Sequence, residues 1–318
     1  MSEVVCLGIL VADVWGKPVN DWPERGRLSL ITEMGMGVGG CAANTGLSLV
    51  KLGGDVAIMG KVGGDGFGEF VVNTLSAQGA DISGVLRDPA VGTSSTMIMI
   101  DDAGERTFLH YIGASACVRP DELDMDLICK ARVFHLGGAL VMPGFDGEPM
   151  ASVLQKAQAA GVTTSLDTVW DAKGRWMELL APVLPYTDLF LPSLSEAVEI
   201  TGQTEPRDVA GVLMDHGVKV VGLKMGERGS YVRTADAELT VPAFSIDVVD
   251  GTGSGDAYVA GFLRGYLLGW DLERTTRFAN AVGALCTTGV GTTSGVRDFA
   301  GTIQFLAEQD GESWRELL

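Results

Sequence analysis

Asp250-Gly251-Thr252-Gly253-Ser254-Gly255-Asp256 stands between an apolar run, Phe244 to Val249, and a long amphipathic stretch, Ala257 to Trp270. The order reads as strand, glycine turn, helix. In the helical stretch Tyr258, Phe262 and Tyr266 recur at i, i+4 and i+8 with Val259, Leu263 and Leu267 beside them, which predicts one wide buried face. Glycines just ahead of a helix let successive backbone N–H groups converge on an anion, and the helix dipole adds to the attraction. Such a turn suits a phosphoryl group in transfer, and Asp256, just inside it, is placed to accept the proton of an attacking hydroxyl. The same aspartate also favours a helix N-terminus as a plain cap, and spacing alone leaves both readings open.

Outward from this turn, short β-branched runs alternate with longer amphipathic ones. Val4 to Val11, Val56 to Val62, Val133 to Leu136, Thr163 to Asp167, Asp188 to Leu191 and Val218 to Lys224 read as strands. Cys41 to Leu52, Phe67 to Gln78, Met150 to Ala160, Trp176 to Leu184, Ser193 to Thr201 and Arg207 to His216 read as helices, with Gly53, Gly161 and Gly202 at their C-terminal ends. This rhythm predicts crossover units and a mainly parallel sheet, an α/β fold. Two segments break it. Gly16 to Glu33 has no helical period, and Ser94 to Tyr111 reads as a hairpin turning at Asp101-Asp102-Ala103-Gly104. Inserted strands near the C-terminal ends of a parallel sheet would cover a ligand crevice there.

The composition narrows the function. With 318 residues and 46% hydrophobic content the chain can bury a sizeable core, and no linker or repeat forces a second domain. The 23 basic against 41 acidic side chains give a net charge of −18, which repels nucleic acid and acidic membrane surfaces. Five cysteines (Cys6, Cys41, Cys117, Cys129, Cys286) form no CxxC, and His110, His135 and His216 form no close pair, which suits a reducing compartment without structural zinc. The N-terminus has no basic region or cleavage site ahead of its apolar run, and the charge-free stretches Met34 to Val50 and Phe278 to Val296 are too rich in Gly, Thr and Ser to span a bilayer. A cytoplasmic location is expected.

A second glycine cluster, Gly35-Met36-Gly37-Val38-Gly39-Gly40, matches the generic GxGxxG pattern of dinucleotide sites. Such a site also wants an acidic residue ending the next strand, and Asp55 precedes Val56 to Val62 instead. No GxxxxGK[ST] occurs, so phosphate binding by a P-loop is excluded.

Taken with the turn at 250–256, Gly39-Gly40-Cys41-Ala42-Ala43-Asn44 resembles the paired signatures of the PfkB family of carbohydrate kinases, the ribokinase-like fold. Further matches lie between them: Lys61 to Gly68, Gly79 to Val85, Glu105 to Phe108, and Lys224-Met225-Gly226-Glu227-Arg228-Gly229. The resemblance covers essentially the whole chain. It implies a single domain over 1–318, a three-layer α/β/α sandwich with a mainly parallel central sheet, and a small β lid drawn from about 16–34 and 94–112. It also implies ATP and Mg²⁺, sometimes a monovalent cation such as K⁺, and often a homodimer in which lids pair. Carried over residue by residue, Asp256 is the general base and Gly253, Ser254 and Gly255 the anion hole. Asp13, counted as the first-strand aspartate, with Gly39, Gly40 and Asn44 binds substrate, while Lys224, Gly226, Gly229 and Asn280 lie near the nucleotide.

The departures from the family pattern are specific. Where an Asn-x-x-Glu motif tied to Mg²⁺ is common, this chain has Ser193-Leu194-Ser195-Glu196, which keeps Glu196 for a Mg²⁺ contact through water but also spells a capping box. Gly251 replaces a common threonine and Ser254 a common alanine, both small enough to leave the anion hole intact. The cations in the lid segments are few (Lys17, Arg25, Arg27 and Arg106), which favours a neutral sugar over an anionic one. A nucleoside is the alternative substrate, with Trp15, Trp22 or Phe108 as a stacking partner, and a non-catalytic sugar-binding sensor is the alternative class.

Overall fold

The apolar run that opens the chain lacks polar alternation because β1 (Val4–Gly8) lies inside a sheet covered on both faces. Its pleat sends Val4 and Cys6 into one core and Val5 and Leu7 into another, all four fully buried. The computed structural model describes residues 2–317. After β1 the chain leaves this sheet for the antiparallel pair β2 (Val11–Lys17) and β3 (Glu33–Gly39), and returns through α1 (Cys41–Lys51) to β4 (Val56–Gly63). α2 (Gly66–Ala77) and β5 (Val85–Asp88) reach the sheet edge, and the hairpin β6 (Ser95–Ile100) and β7 (Arg106–Tyr111) completes a small sheet in the order β3-β2-β6-β7.

The other side is built by α3 (Met125–Cys129), β8 (Val133–Ala139), α4 (Glu148–Ala159), β9 (Thr163–Thr168), α5 (Trp176–Leu180), β10 (Leu189–Phe190), α6 (Leu194–Thr201), α7 (Pro206–Asp215) and β11 (Val220–Lys224). β12 (Ser230–Arg233) and β13 (Glu238–Val241) extend the sheet antiparallel, and α8 (Ser254–Leu267), α9 (Leu272–Cys286) and α10 (Phe299–Asp310) follow. The central sheet runs β13-β12-β11-β10-β9-β8-β1-β4-β5, parallel from β11 to β5. One face packs on a core that includes Leu47, Val71, Phe262, Phe278 and Leu306, the other on Phe134, Leu154, Ala197 and Leu213. This is a three-layer α/β/α arrangement. Among the described residues no helix is long and apolar enough to cross a membrane, and all five cysteines are free.

Several expectations shift. Val4 to Val11 is not one strand: β1 ends at Gly8, and Val11 already belongs to the small sheet, so Asp13 sits on β2 of that sheet and not on the first strand of the large one. Both halves are apolar, so periodicity does not register the change of sheet between them. The strands of the small sheet flank the segment expected near 16–34, which is itself mostly irregular between Pro18 and Thr32. Gly35 and Gly37 therefore lie within a strand, which removes the dinucleotide turn. Phe244 to Val249 joins no ladder, and the helix expected from Trp176 to Leu184 stops at Leu180. The hairpin at 94–111 forms as expected, its turn tied by Asp101 Oδ1 accepting from the N–H of Ala103 (2.9 Å) and Glu105 (2.8 Å).

Candidate active site

The glycine turn is shaped by Gly253, whose φ of +80° suits a residue without a side chain and whose Cβ, if present, would lie 2.2 Å from the carbonyl oxygen of Thr292. The turn feeds α8, placing Asp256 in the helix's first turn and leaving the N–H groups of Gly255 and Asp256 without intrahelical acceptors. Ser254 holds the turn closed, its Oγ donating to the carbonyl of Gly251 at 2.8 Å. Beneath it lies an ammonium: a Cβ on Gly255 would sit 3.4 Å from Lys224 Nζ.

Lys224 ends β11 and Asp167 stands near the end of β9, so two parallel strands with β10 between them carry both to the C-terminal edge of the sheet, where ligands of such folds bind. Their ion pair measures 2.5 Å from Nζ to Oδ2, with 14% and 4% of the side chains exposed. Burial pushes Asp167 up to about 7 against the pull of Lys224, with Glu196 and Asp256 pushing the same way as burial. Burial opposes charge on Lys224, but Asp167, Glu196 and Asp256 together hold its pKa above the usual lysine value. One ammonium thus serves three carboxylates.

Asp256 itself is half-buried. Burial raises its carboxyl above the ordinary aspartate value, and Asn44, Lys224 and Cys41 partly offset the rise. Asn44 Nδ2 donates to Asp256 Oδ2 at 2.8 Å, and Thr45 Oγ1 reaches the Asp256 carbonyl at 3.4 Å, so α1 and α8 are joined at Asp256. Asn44 Oδ1 is buried and has no partner within the described residues, which suits a hydroxyl donated by a ligand.

Asp13 approaches from the small sheet, across from Gly37 on β3 and Thr96 on β6. Burial raises its carboxyl, with Thr96 partly compensating. Gly39 has to be bare because a Cβ there would lie 2.1 Å from Asp13 Oδ2. Gly40 starts α1 at φ +95°, where a Cβ would meet the Ile9 carbonyl at 2.2 Å.

On the other side of the turn opens a cleft of about 750 Å³ lined by Lys224, Gly226, Gly229, Ser254, Gly255 and Asn280. Gly229, at φ +88°, brings its backbone against β13, a Cβ there lying 2.0 Å from the Val241 carbonyl. Asn280 is spoken for within the wall: Oδ1 accepts from Ser230 Oγ at 3.0 Å, and Nδ2 donates to the carbonyls of Val241 and Pro242 at 3.0 and 3.2 Å. Its role in the structure is to fasten α9 to the β12–β13 ribbon.

Glu196 completes the capping box of α6, with Oε2 accepting from Ser193 N (3.1 Å), Ser193 Oγ (2.7 Å) and Thr168 Oγ1 (3.2 Å). Its Oε1 enters none of these bonds. Among the described residues no group of three or more His, Cys, Asp or Glu is placed to hold a metal by itself. A lone carboxylate oxygen of this kind fits a cation that arrives on nucleotide phosphates and keeps most of its water.

The lid cations are largely committed. Lys17 pairs with Glu33 at 3.1 Å, Arg27 lies 3.8 Å from Glu24, Arg25 is exposed, and Arg106 binds Asp250. Trp22 and Phe108 are exposed, and the Trp15 ring covers Gly35. Two features of the site escape a reading of the sequence. Asp167 would be found by asking which carboxylates end strands of a parallel sheet; the pairing of Arg106 with Asp250 spans 144 positions and has no local signal.

Known proteins share this architecture. The family described as pfkB family carbohydrate kinase matches residues 1–298. Probable fructokinase-5 of Arabidopsis thaliana is 32% identical over 84% of this chain and 87% of its own length. Two solved structures share the fold: Arabidopsis thaliana ribokinase complexed with ribose and ATP (TM-score 0.84, 22% identity, 96% of this chain and 98% of that one), and an E. coli protein in complex with ATP and Mg²⁺ (TM-score 0.85, 24% identity, 97% and 100%).

Proposed function

The chain belongs to the pfkB family of carbohydrate kinases, and on that premise we propose how its own residues transfer the γ-phosphoryl group of ATP to a sugar hydroxyl. The protein is an ATP-dependent sugar kinase. The observation that carries the assignment of roles is the position of Asp256, with Asn44 on one side and the Gly255–Lys224 pair at the mouth of the cleft on the other.

ATP occupies the 750 Å³ cleft with its phosphates towards the N-terminus of α8. The sugar sits between Asp13, the bare backbone at Gly39 and Gly40, and the open Oδ1 of Asn44. Asp256 accepts the hydroxyl proton as the oxygen attacks in line. The N–H groups of the Gly253-Ser254-Gly255 turn and the Lys224 ammonium meet the charge on the transferring group. Glu196 would hold the water shell of Mg²⁺ arriving with the nucleotide, which would supply further charge neutralisation. The small sheet closes over the acceptor and excludes water, which would otherwise take the phosphoryl group.

The substrate is a neutral sugar. Lys17, Arg27 and Arg106 have carboxylate partners already, and the half-buried carboxylates Asp13 and Asp256 disfavour an anionic ligand. Fructose and ribose head the candidates, since they are the sugars of the similar fructokinase and ribokinase. The exposed Met34, Met36, Met97, Leu109 and Tyr111 of the small sheet suit pairing with a second copy, and sedimentation of the purified chain tests that pairing. The working place is the cytoplasm, where ATP and reduced thiols coexist.

The test is ADP formation from Mg-ATP with a panel of pentoses, hexoses, sugar acids, sugar phosphates and nucleosides, against an Asp256→Asn control. Turnover of a neutral sugar, abolished in the variant and confirmed by product mass, is expected. Turnover confined to a sugar phosphate or a nucleoside would overturn the substrate assignment, and full activity in the variant would overturn the base.

A further inference from the structure

Arg106 opens β7 of the small sheet, yet its guanidinium lies on the glycine turn of the large one. Nη1 donates to Asp250 Oδ1 at 2.6 Å, Nη2 stands 2.6 Å from Oδ2, and Nη1 also reaches Thr252 Oγ1. The Asp250 carboxylate, 2% exposed, accepts in addition from the N–H of Thr252 at 2.9 Å and of Gly291 at 2.7 Å. One buried carboxylate therefore joins the lid hairpin, the turn that leads to Asp256 and the loop after α9. That loop is the one whose Thr292 carbonyl abuts Gly253, so both walls of the turn depend on the same node.

The chemistry of the pair is specific. Burial would raise the Asp250 carboxyl, but Arg106 and the two backbone N–H groups outweigh it and hold it down at about 2. A planar guanidinium answers both oxygens at once, which a lysine ammonium cannot do. Without Arg106 the carboxylate keeps its two N–H partners but loses its counter-charge in a buried place, and the turn has to adjust to rehydrate it.

We propose that Arg106 is a positioning residue for phosphoryl transfer, which by gripping Asp250 from the lid makes the shape of the 251–255 turn depend on the hairpin being down. The anion hole is then complete only while the acceptor is covered, which ties phosphoryl transfer to the sugar and spares ATP from water. This rests on the kinase reading above.

Arg106→Gln and Arg106→Lys test it, with ADP formed compared against sugar phosphate formed. The glutamine variant is expected to lose roughly 10- to 100-fold in kcat, with KM for the sugar changed much less, and to form more ADP than sugar phosphate. Lysine, which keeps the charge but not the fork, is expected to recover only a small part of the loss. Combining Arg106→Gln with Asp250→Asn should cost little more than either alone, because both break one node. Amide exchange at Thr252 and Gly291 needs no turnover and should accelerate in the folded variants while the melting temperature stays within a few degrees of wild type. A folded glutamine or lysine variant with wild-type kcat, equal ADP and product, or unchanged exchange at both amides overturns the proposal. If the wild-type chain phosphorylates no sugar the kinase reading fails instead, and the exchange result still decides whether Arg106 holds the turn.

Discussion

Asn44 Nδ2 donates to Asp256 Oδ2 at 2.8 Å, so the first signature of the chain orients the carboxylate of the last, 212 positions away. The bond uses half of the amide. The other half, Oδ1, is buried without a partner among the described residues, so in the proposed mechanism one side chain both aims the base and offers an acceptor to the hydroxyl that the base deprotonates.

Asn44→Ala removes both functions. A hydrogen bond to a charged group contributes about 1.5–3 kcal/mol, so kcat/KM is expected to fall roughly 10- to 100-fold. Asn44→Asp should fare worse, because two carboxylates in contact cannot both ionise easily and the base would spend more of its time protonated. Steady-state kinetics with the preferred sugar give both values. An Asn44→Ala enzyme with unchanged kcat/KM would mean that Asp256 is oriented by something else.

The pH profile follows from burial. Asp256 has to be ionised to act as a base, so activity falls as pH drops through its pKa, and burial places that limb above the ordinary aspartate range. Lys224 favours the ionised form of Asp256, so Lys224→Met removes a counter-charge, raises the carboxyl further and moves the acid limb towards neutrality. The same change removes a cation from beside Gly255, for which a loss on the order of 10²-fold in kcat is expected even on the plateau. Profiles of kcat/KM against pH for wild type and variant check the limb, and kcat on the plateau checks the loss. A limb that moves to lower pH in the variant would contradict the assigned electrostatics.

The turn offers an internal control, because its glycines are not equivalent. A Cβ on Gly251 would meet nothing within 4 Å and its φ is not positive, whereas Gly253 combines φ +80° with a backbone oxygen 2.2 Å from where Cβ would be. Gly251→Ala should keep activity within about twofold and stability within ~0.5 kcal/mol. Gly253→Ala costs about 1–2 kcal/mol from the left-handed conformation alone, and the clash has to be relieved by moving the anion hole, so kcat should fall at least about 100-fold. Thermal melts alongside kinetics separate the two effects. Equal behaviour of the two variants would show that the turn's shape is immaterial to transfer.

How much of this can be read from residues depends on whether the cause is local. The 250–256 turn, the hairpin at 94–111 and the capping box at Ser193–Glu196 are written in neighbouring side chains, and the structure places each where its chemistry asks. The switch of sheets between Gly8 and Val11 is hidden, since both strands are apolar and Ile9 and Leu10 between them carry no turn signal. Asn280 shows the limit from the other direction. Motif position puts it near a nucleotide, and it does line the cleft, but its amide is fully engaged by Ser230, Val241 and Pro242, partners that no spacing rule reveals. The ion pairs Lys224–Asp167 and Arg106–Asp250 belong to the same class: strand order brings the first together and the seating of the β6–β7 hairpin on the turn before α8 the second, and both are properties of the whole chain.

Glu196 shows how one carboxylate can hold two duties and how they come apart. Oε2 is consumed by Ser193 and Thr168 in capping α6, and Oε1, which enters none of these bonds, is the atom to which the proposed contact with the water shell of nucleotide-bound Mg²⁺ falls. Glutamine serves a capping box nearly as well as glutamate, so Glu196→Gln should shift the melting temperature by no more than about 2 °C. It removes the charge that orders the water shell, and the Mg²⁺ concentration for half-maximal activity is expected to rise about 10-fold or more, the usual scale for lost outer contacts. Glu196→Ala should lose both, melting lower and needing more Mg²⁺. Titration of activity with Mg²⁺ at fixed ATP, beside thermal melts of both variants, makes the separation. If Glu196→Gln matches wild type in its Mg²⁺ requirement while Glu196→Ala differs only in melting, the residue is a helix cap alone, and Asp167 becomes the carboxylate to test next.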